Sequence, residues 1–201
     1  ERIVALGGRT IEIFFNTERE YDPSFLSRLK SLADQNGIQI VSIHPYTSLM
    51  EGMLLFSNYD RRTQDGMLQY RKYMRAAAYL GAKYLTFHGE RFLSQDTLLD
   101  HMERTYAVYH ALCQMAHEEG ITVTQENVAW CKSRDPAYLK LLAEHVPELC
   151  YTLDIKQANR AGQHWSGYLD IFGGRLRNVH INDYDRTHSC LLPGEGEMDY
   201  A

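Results

Sequence analysis

Residues 121–154, ITVTQENVAWCKSRDPAYLKLLAEHVPELCYTLD, contain two strand-like runs with a helical pattern between them, and this order decides the fold. The runs at 121–126 and 149–154 are short and rich in β-branched or aromatic residues, which is typical of strands. Between them Asp135-Pro136 marks the start of a helix, because aspartate caps a helix and proline suits its first turn. Gly120 stands directly before the first run, where it ends a preceding helix. The segment therefore predicts strand, loop, helix and strand.

The same alternation recurs along the whole chain. Four further strand-like runs lie at 11–15, 38–43, 83–88 and 176–181. Apolar residues at helical spacing separate the runs, as in the two stripes Met67, Tyr70, Met74, Ala77, Leu80 and Met102, Tyr106, Tyr109, Cys113, Ala116. Strands and helices that alternate in this way form a parallel sheet, which places the chain in the α/β class.

Two α/β architectures share this alternation, the doubly wound open sheet and the eight-stranded βα barrel. A dinucleotide-binding open sheet carries a glycine-rich turn after an early strand, but here Gly7-Gly8 precedes a strand. Polar residues instead recur at the C-terminal ends of strands, where barrel enzymes hold their catalytic groups. No linker-like segment divides the chain, so we predict one domain over residues 1–201 with the (β/α)8 TIM barrel fold.

Composition excludes several classes of protein. With 44% hydrophobic and 23% charged residues, the chain has the composition of a globular protein. A net charge of −5 argues against a nucleic-acid partner, and no apolar run reaches the ~20 residues that cross a membrane. No signal-peptide pattern is visible, and the cysteines are widely spaced, so we predict a cytoplasmic protein with reduced thiols. The cysteines are Cys113, Cys131, Cys150 and Cys190.

Five consecutive strands end in residues of metal-ligating type, namely His44, His88, Glu126, Asp154 and His180. Any one histidine there could simply cap its strand. Glu126 and Asp154, however, lie in apolar runs, where an unpaired charge is costly and normally binds a cation. Divalent ions prefer anionic oxygens and neutral imidazole, with positions left open for substrate. The set therefore predicts a divalent metal site.

Six stretches of the chain resemble the xylose isomerase-like TIM barrel superfamily and, more narrowly, its sugar phosphate isomerase/epimerase group. They are GGRTIEIFF (7–15), LGAKYLTFHGE (80–90), QENV (125–128), LDIKQANRAG (153–162), NVHINDYDR (178–186) and LPGEGEMDY (192–200). This resemblance implies that Glu126, Asp154 and His180 hold one divalent ion, which is Mn²⁺, Zn²⁺, Mg²⁺ or Co²⁺. A second glutamate, on the last strand of the family, completes the implied ligand set.

The resemblance also implies an incomplete barrel. The sequence up to Phe15 is similar to the second strand of the family, and residues 192–200 are similar to the loop that leads to the last strand. At ~31 residues per βα unit, 201 residues make between six and seven units. We therefore expect the chain to lack the first strand and the last strand, and the fourth metal ligand to lie beyond Ala201.

The resemblance assigns roles to individual residues. In the ketose 3-epimerases of this superfamily, the metal-binding glutamates also act as acid and base. Glu126 is thus the expected catalytic residue, moving a proton beside a carbonyl through a metal-stabilised enediolate. The expected substrate-binding residues are His44, His88, Gln157 and Arg186. Gln157 replaces the usual histidine, and its amide suits a sugar hydroxyl better than a metal.

Three features leave alternatives open. Lys132 stands where several epimerases carry a glutamate, and it either suits an acidic or phosphorylated substrate or lies in a surface loop. Trp130 either stacks on a sugar ring or packs against the barrel. The pair Arg61-Arg62, in a predicted long loop at 45–62, either binds a phosphate or begins a helix.

The predicted function is a metal-dependent isomerase or epimerase acting on a small carbohydrate, either a sugar or a sugar phosphate. The main alternative is a dehydratase or carbon–glycosyl-bond lyase, because that chemistry also begins with proton removal beside a carbonyl. An endonuclease IV-like phosphoesterase is disfavoured by Gln157 and by the negative charge. A non-catalytic sugar-binding barrel is the remaining alternative. The fourteen tyrosines would also suit the interface of a homo-oligomer.

Overall fold

The structure is a computed structural model that describes residues 2–92 and 97–200, except for the side chain of Arg2. In this part of the chain, six strands and eight α-helices follow one another in the predicted alternating order. The chain divides into two compact units, residues 1–87 with 107–123 and residues 88–106 with 124–201.

All six predicted strands are confirmed, each with ends within one residue of the prediction. They are β1 (Thr10–Phe14), β2 (Gln39–His44), β3 (Tyr84–Phe87), β4 (Thr122–Glu126), β5 (Cys150–Asp154) and β6 (Leu176–His180). The helices are α1 (Arg2–Ala5), α2 (Pro23–Gln35), α3 (Glu51–Leu54), α4 (Asp60–Leu80), α5 (Met102–Glu118), α6 (Pro136–His145), α7 (Ile155–Arg160) and α8 (Ser166–Phe172). Short 3₁₀ turns lie at Glu18–Tyr21, Tyr46–Leu49, Lys132–Arg134 and Gly173–Arg175.

In the first unit β1, β2 and β3 pair in parallel, with Phe14 opposite His44 and Ile43 opposite Leu85. The predicted apolar stripe of α4 faces the core, since four of its five members are buried and Met67 is half-buried. Gly81 ends α4 with φ at 80°, a left-handed conformation that glycine adopts without steric cost. The predicted helix-to-strand turn is therefore confirmed.

In the second unit β4, β5 and β6 also pair in parallel. Helix α6 begins at Pro136 as predicted, and the Oδ1 atom of Asp135 accepts the backbone N–H of Ala137 at 2.8 Å. The core lies between the sheet and helices α6 and α8, where the Tyr151 ring stacks on the Phe172 ring at 4.4 Å. Parallel pairing brings the C-terminal ends of the three strands to one edge.

The prediction of a long loop at residues 45–62 is wrong. A 3₁₀ turn, α3 and the start of α4 at Asp60 together occupy most of this segment. One physical reason is Glu51, whose buried carboxylate accepts a hydrogen bond from the Tyr70 hydroxyl and so ties the segment to α4. Arg61 and Arg62 are exposed in the first turn of α4, so of the two alternatives for this pair the helix start is confirmed.

Two further features of the described residues concern the cysteines and the lengths of the helices. None of the four cysteines, all of which lie in described residues, forms a disulfide; three are buried and Cys190 is exposed. Among the helices of residues 2–92 and 97–200, none is long and apolar enough to cross a bilayer.

Candidate metal centre

Three neighbouring strands of the second unit end in the predicted metal ligands. Glu126 ends β4, Asp154 ends β5 and His180 ends β6. In the register of the sheet, Glu126 lies opposite Thr152, and Asp154 lies opposite His180. Both carboxylates are buried, with only 2% of Glu126 and 4% of Asp154 exposed, whereas the His180 ring is partly open. The parallel register therefore brings two anions and one imidazole together.

The distances within this group suit a common cation. The Nδ1 atom of His180 lies 3.5 Å from Glu126 Oε1 and 3.4 Å from Asp154 Oδ2. Both distances exceed the usual range for an N–H···O hydrogen bond. Ligand atoms around a tetrahedral ion at about 2.1 Å lie about 3.4 Å apart, which is close to the observed spacing. One ligand atom from each residue also lies within 4.8 Å of the other two.

Electrostatics support the same interpretation. Two buried carboxylates this close repel each other when both are ionised, and burial deprives them of the water that would screen the repulsion. A bound cation removes that repulsion. Two carboxylate oxygens and one imidazole nitrogen form a ligand set that Zn²⁺, Mn²⁺ and Co²⁺ accept. The residues present therefore fit a divalent ion.

His88 follows β3 directly and contacts the same glutamate from another side. Its Nε2 atom lies 3.1 Å from Glu126 Oε2, and both side chains are buried. The backbone carbonyl of His88 accepts hydrogen bonds from the side chains of Gln125 at 2.7 Å and Ser133 at 3.4 Å. The two oxygens of Glu126 thus face different histidines, Oε1 towards His180 and Oε2 towards His88.

The sequence matches the family described as xylose isomerase-like TIM barrel over residues 1–201. The chain belongs to this family. The predicted TIM barrel fold class is thereby confirmed. No curated protein matches the sequence.

Solved structures share the fold at low sequence identity. A D-tagatose 3-epimerase-like protein has a TM-score of 0.79 at 17% identity, covering 96% of this chain and 74% of its own. The IolI protein with a bound zinc atom has a TM-score of 0.78 at 17% identity, covering 98% and 73%. A D-psicose 3-epimerase, solved in the presence of D-fructose, has a TM-score of 0.76 at 18% identity, covering 98% and 70%. At these identities the likeness shows the fold.

The remaining predicted site residues of this xylose isomerase-like barrel differ in their surroundings. Gln157 is buried, its backbone N–H donates to Asp154 Oδ1 at 2.7 Å, and its Oε1 accepts the N–H of Ala129 at 3.2 Å. Arg186 is exposed after β6, and no hydrogen bond or ion pair in the described residues joins it to the three predicted metal ligands. His44 ends β2 in the first unit, buried, with its ring 4.6 Å from that of Phe14.

The surroundings of Lys132 and Trp130 bear on the two alternatives that the sequence left open for each of them. The surface-loop interpretation of Lys132 is wrong, because this lysine is 1% exposed and its Nζ lies 2.9 Å from Glu90 Oε1. The Lys132 ammonium is thus paired with the Glu90 carboxylate. Trp130 is half-buried and meets the His88 ring edge to face, with centroids 5.7 Å apart, so it packs beside the site.

Asn127, directly after the predicted metal ligand Glu126, is one residue of the candidate site that the sequence analysis did not predict. Its Nδ2 donates to the backbone carbonyl of Asp154 at 2.9 Å, and its Oδ1 accepts the Asp154 N–H at 2.7 Å. The side chain thus holds the end of β5 beside β4, as a strand residue would. Its place directly after Glu126 was the only signal in the sequence.

Asp183 is a second missed residue, and it organises the segment at 191–198. Its buried carboxylate accepts four backbone N–H groups at 2.8 to 3.0 Å, those of Tyr184, Gly194, Gly196 and Met198. A Cβ atom on Gly196 would lie 2.4 Å from Asp183 Oδ1, so only glycine fits there. Burial by itself raises the pKa of Asp183, but the four donors outweigh it and lower the pKa below its ordinary value.

We expect Asp183→Asn to lower the melting temperature at pH 7, because one lone-pair-rich oxygen becomes an N–H donor that faces other donors. A carboxyl whose pKa is lower in the folded state stabilises the folded protein at pH values above its unfolded-state pKa of about 3.9. This stabilisation is lost as the pH falls through the folded-state pKa. The difference from wild type should therefore be constant from about pH 7 to 5 and shrink below about pH 4. Thermal unfolding across this range measures it.

The exposed Asp170 on α8 provides the matched control for this prediction. Asp170→Asn should leave the melting temperature nearly unchanged at every pH. A difference between Asp183→Asn and wild type that stays the same down to pH 3 would contradict the assigned role of the carboxylate.

Proposed function

We propose that this xylose isomerase-like barrel is a divalent-metal-dependent isomerase or epimerase of a small carbohydrate, either a sugar or a sugar phosphate. The observation that carries the proposal is the convergence of Glu126, Asp154 and His180 at the ends of three parallel strands. Two of the structures that share the fold are described as a D-psicose 3-epimerase and a D-tagatose 3-epimerase-like protein. A third is described with a bound zinc atom.

Glu126, Asp154 and His180 would hold the ion through Oε1, Oδ2 and Nδ1, the atoms that face one another. When bound, a divalent ion supplies positive charge that stabilises negative charge developing on substrate oxygens. Asn127 fixes the Asp154 backbone, and the Gln157 N–H fixes the second Asp154 oxygen. These contacts leave Asp154 Oδ2 to act as a ligand.

Glu126 is the proposed base. Its Oε2 atom would take the proton from the carbon beside the substrate carbonyl, since Oε1 faces the ligand His180. His88 Nε2, at 3.1 Å from Oε2, can then share or relay that proton. Return of a proton to the neighbouring carbon gives an isomer, and return to the opposite face of the same carbon gives an epimer.

The burial of this carboxylate favours such a role. With 2% of Glu126 exposed, bulk water does not compete for the proton that the residue carries. His44, Gln157 and Arg186 stay proposed contacts for substrate hydroxyl groups or for a phosphate. The small carbohydrate is the proposed partner, and recognition of its hydroxyls needs side-chain donors and acceptors of these kinds.

The test uses a panel of ketoses and ketose phosphates in D₂O, with NMR detection. We expect the Mn²⁺- or Co²⁺-loaded protein to place deuterium on the carbon beside the carbonyl of at least one sugar and to form its isomer or epimer. Removal of the ion with a chelator should lower this exchange by about 100-fold or more, and restoring the ion should recover it. Exchange that is unaffected by chelation would contradict metal dependence.

The same experiment separates the dehydratase or lyase alternative. Those reactions also exchange the proton, but they end with loss of water or cleavage of a carbon–glycosyl bond. An unsaturated or shortened product in the NMR spectrum would therefore replace the proposed function with the alternative.

A further inference from the structure

The segments that follow β3 and β4 are joined by a short antiparallel ladder in the second unit. The N–H of Phe92 donates to the Trp130 carbonyl at 3.0 Å, and the N–H of Lys132 donates to the Glu90 carbonyl at 2.8 Å. Arg91 and Cys131 form the bridge between these two bonds. The two segments are therefore joined directly through their backbones.

An ion pair between the buried Lys132 and the half-buried Glu90 closes this ladder. Lys132 Nζ lies 2.9 Å from Glu90 Oε1, with 2% and 17% of the two side chains exposed. The hydroxyl of Thr105, near the start of α5, donates to Glu90 Oε2 at 3.3 Å. An ammonium group at this depth needs an anionic partner, and the Glu90 carboxylate supplies one. The pair thus resists separation of the two segments.

The ladder holds His88 from both sides. Ser133, one residue beyond Lys132, donates its hydroxyl to the His88 carbonyl, and the ring of Trp130 lies edge to face against the His88 ring. His88 in turn places Nε2 at 3.1 Å from Glu126 Oε2. A shift of residues 130–133 would therefore move the histidine that orients the glutamate.

We propose that Lys132 and Glu90 are a positioning pair, which holds His88 against Glu126 and so orients Glu126 for the ion. In this proposal His88 acts through Glu126, in addition to any contact it makes with substrate. The inference rests on the metal site of the proposed function. Partners that orient a metal ligand typically change metal affinity by 10- to 100-fold when they are removed.

The experiment compares Lys132→Met with Lys132→Arg in a Trp165→Phe background, so that Trp130 is the one remaining tryptophan of the 201 residues. Co²⁺ is the metal probe, titrated by calorimetry, and the emission of Trp130 reports the packing beside His88. We expect Lys132→Met to weaken Co²⁺ binding about tenfold or more and to shift the emission to longer wavelength. Lys132→Arg keeps the positive charge, so its Co²⁺ affinity and its Trp130 emission should stay close to those of the Trp165→Phe protein.

Lys140→Met is the matched control, because Lys140 is exposed on α6 of the same unit. It should change neither readout. If Lys132→Met fails to fold, the double variant Glu90→Gln with Lys132→Met removes both charges and carries the same expected losses. Wild-type Co²⁺ affinity in a folded Lys132→Met or double variant would overturn the proposal.

Failure of the proposed function has a different signature. If the Trp165→Phe protein itself binds no Co²⁺, the metal site is refuted, whatever Lys132 does. The positioning of residues 130–133 is then decided by Trp130 emission alone. An emission shift that occurs in Lys132→Met but not in Lys132→Arg would support the positioning role of the ion pair. Unchanged emission in Lys132→Met would overturn that role.

Discussion

Glu126→Gln is expected to lower the rate of deuterium exchange and of sugar conversion by about a thousandfold or more. An amide cannot accept the proton that the carboxylate removes, and a positioned general base alone contributes about 10²- to 10⁴-fold. The substitution also removes one of two negative charges from the ligand set, while keeping the size and burial of the side chain. Exchange into the sugar that reacts with the wild-type protein, measured at saturating Co²⁺, gives the rate.

Saturating Co²⁺ separates the two effects of this variant. A loss that higher Co²⁺ repairs would assign Glu126 to binding alone, whereas a persistent loss supports the role as base. Glu144→Gln is the control, because Glu144 is exposed on α6 and the chemical change is the same. Retention of more than a tenth of wild-type exchange in Glu126→Gln would refute the assignment of the base.

Asp154→Asn is expected to weaken divalent-ion binding by about 100-fold or more without unfolding the protein. Asp154 has two separable functions, since Oδ1 caps α7 by accepting the Gln157 N–H, and Oδ2 faces His180. Asparagine is as good a helix cap as aspartate, so the cap survives. Its neutral amide is a far poorer ligand for a divalent ion than a carboxylate. Calorimetric titration with Co²⁺ or Zn²⁺ and thermal unfolding without metal measure the two properties.

Asp135→Asn is a closely matched control for this prediction. Asp135 caps α6 through the same kind of bond, from Oδ1 to the N–H of Ala137, but lies at no predicted metal site. Asp135→Asn should leave the ion affinity unchanged, and both variants should have nearly the same melting temperature. Ion affinity in Asp154→Asn within threefold of wild type would show that this carboxylate is not a ligand.

Much of the fold was predictable because its signals are local. The six strands were located within one residue, since a strand of four to six residues carries its own β-branched pattern and ends at nearby glycines or helix caps. Gly81 and the Asp135-Pro136 pair marked boundaries for the same reason. The loop prediction for residues 45–62 failed, because a contact that orders this segment joins Glu51 to Tyr70, which is nineteen residues away in the sequence.

The candidate site was predictable where one rule of topology sufficed. Residues at the C-terminal ends of neighbouring parallel strands meet at one edge, so the sequence alone groups Glu126, Asp154 and His180. The same rule also predicted His88 at this edge, but not its contact with Glu126 Oε2. Side-chain direction depends on packing, which no strand pattern encodes.

The amino-acid sequence by itself determined the α/β alternation, the family and the identity of the three ligand-type residues. Only the tertiary structure decided that Lys132 is buried and paired with Glu90. It also decided that Asp183 accepts backbone N–H groups up to fifteen residues away and that Asn127 hydrogen-bonds to the backbone of Asp154. The physical reason is the range of the interactions involved. Hydrophobic periodicity and capping act within a few residues, whereas a buried charge or amide is stabilised by whichever distant groups the fold brings to it.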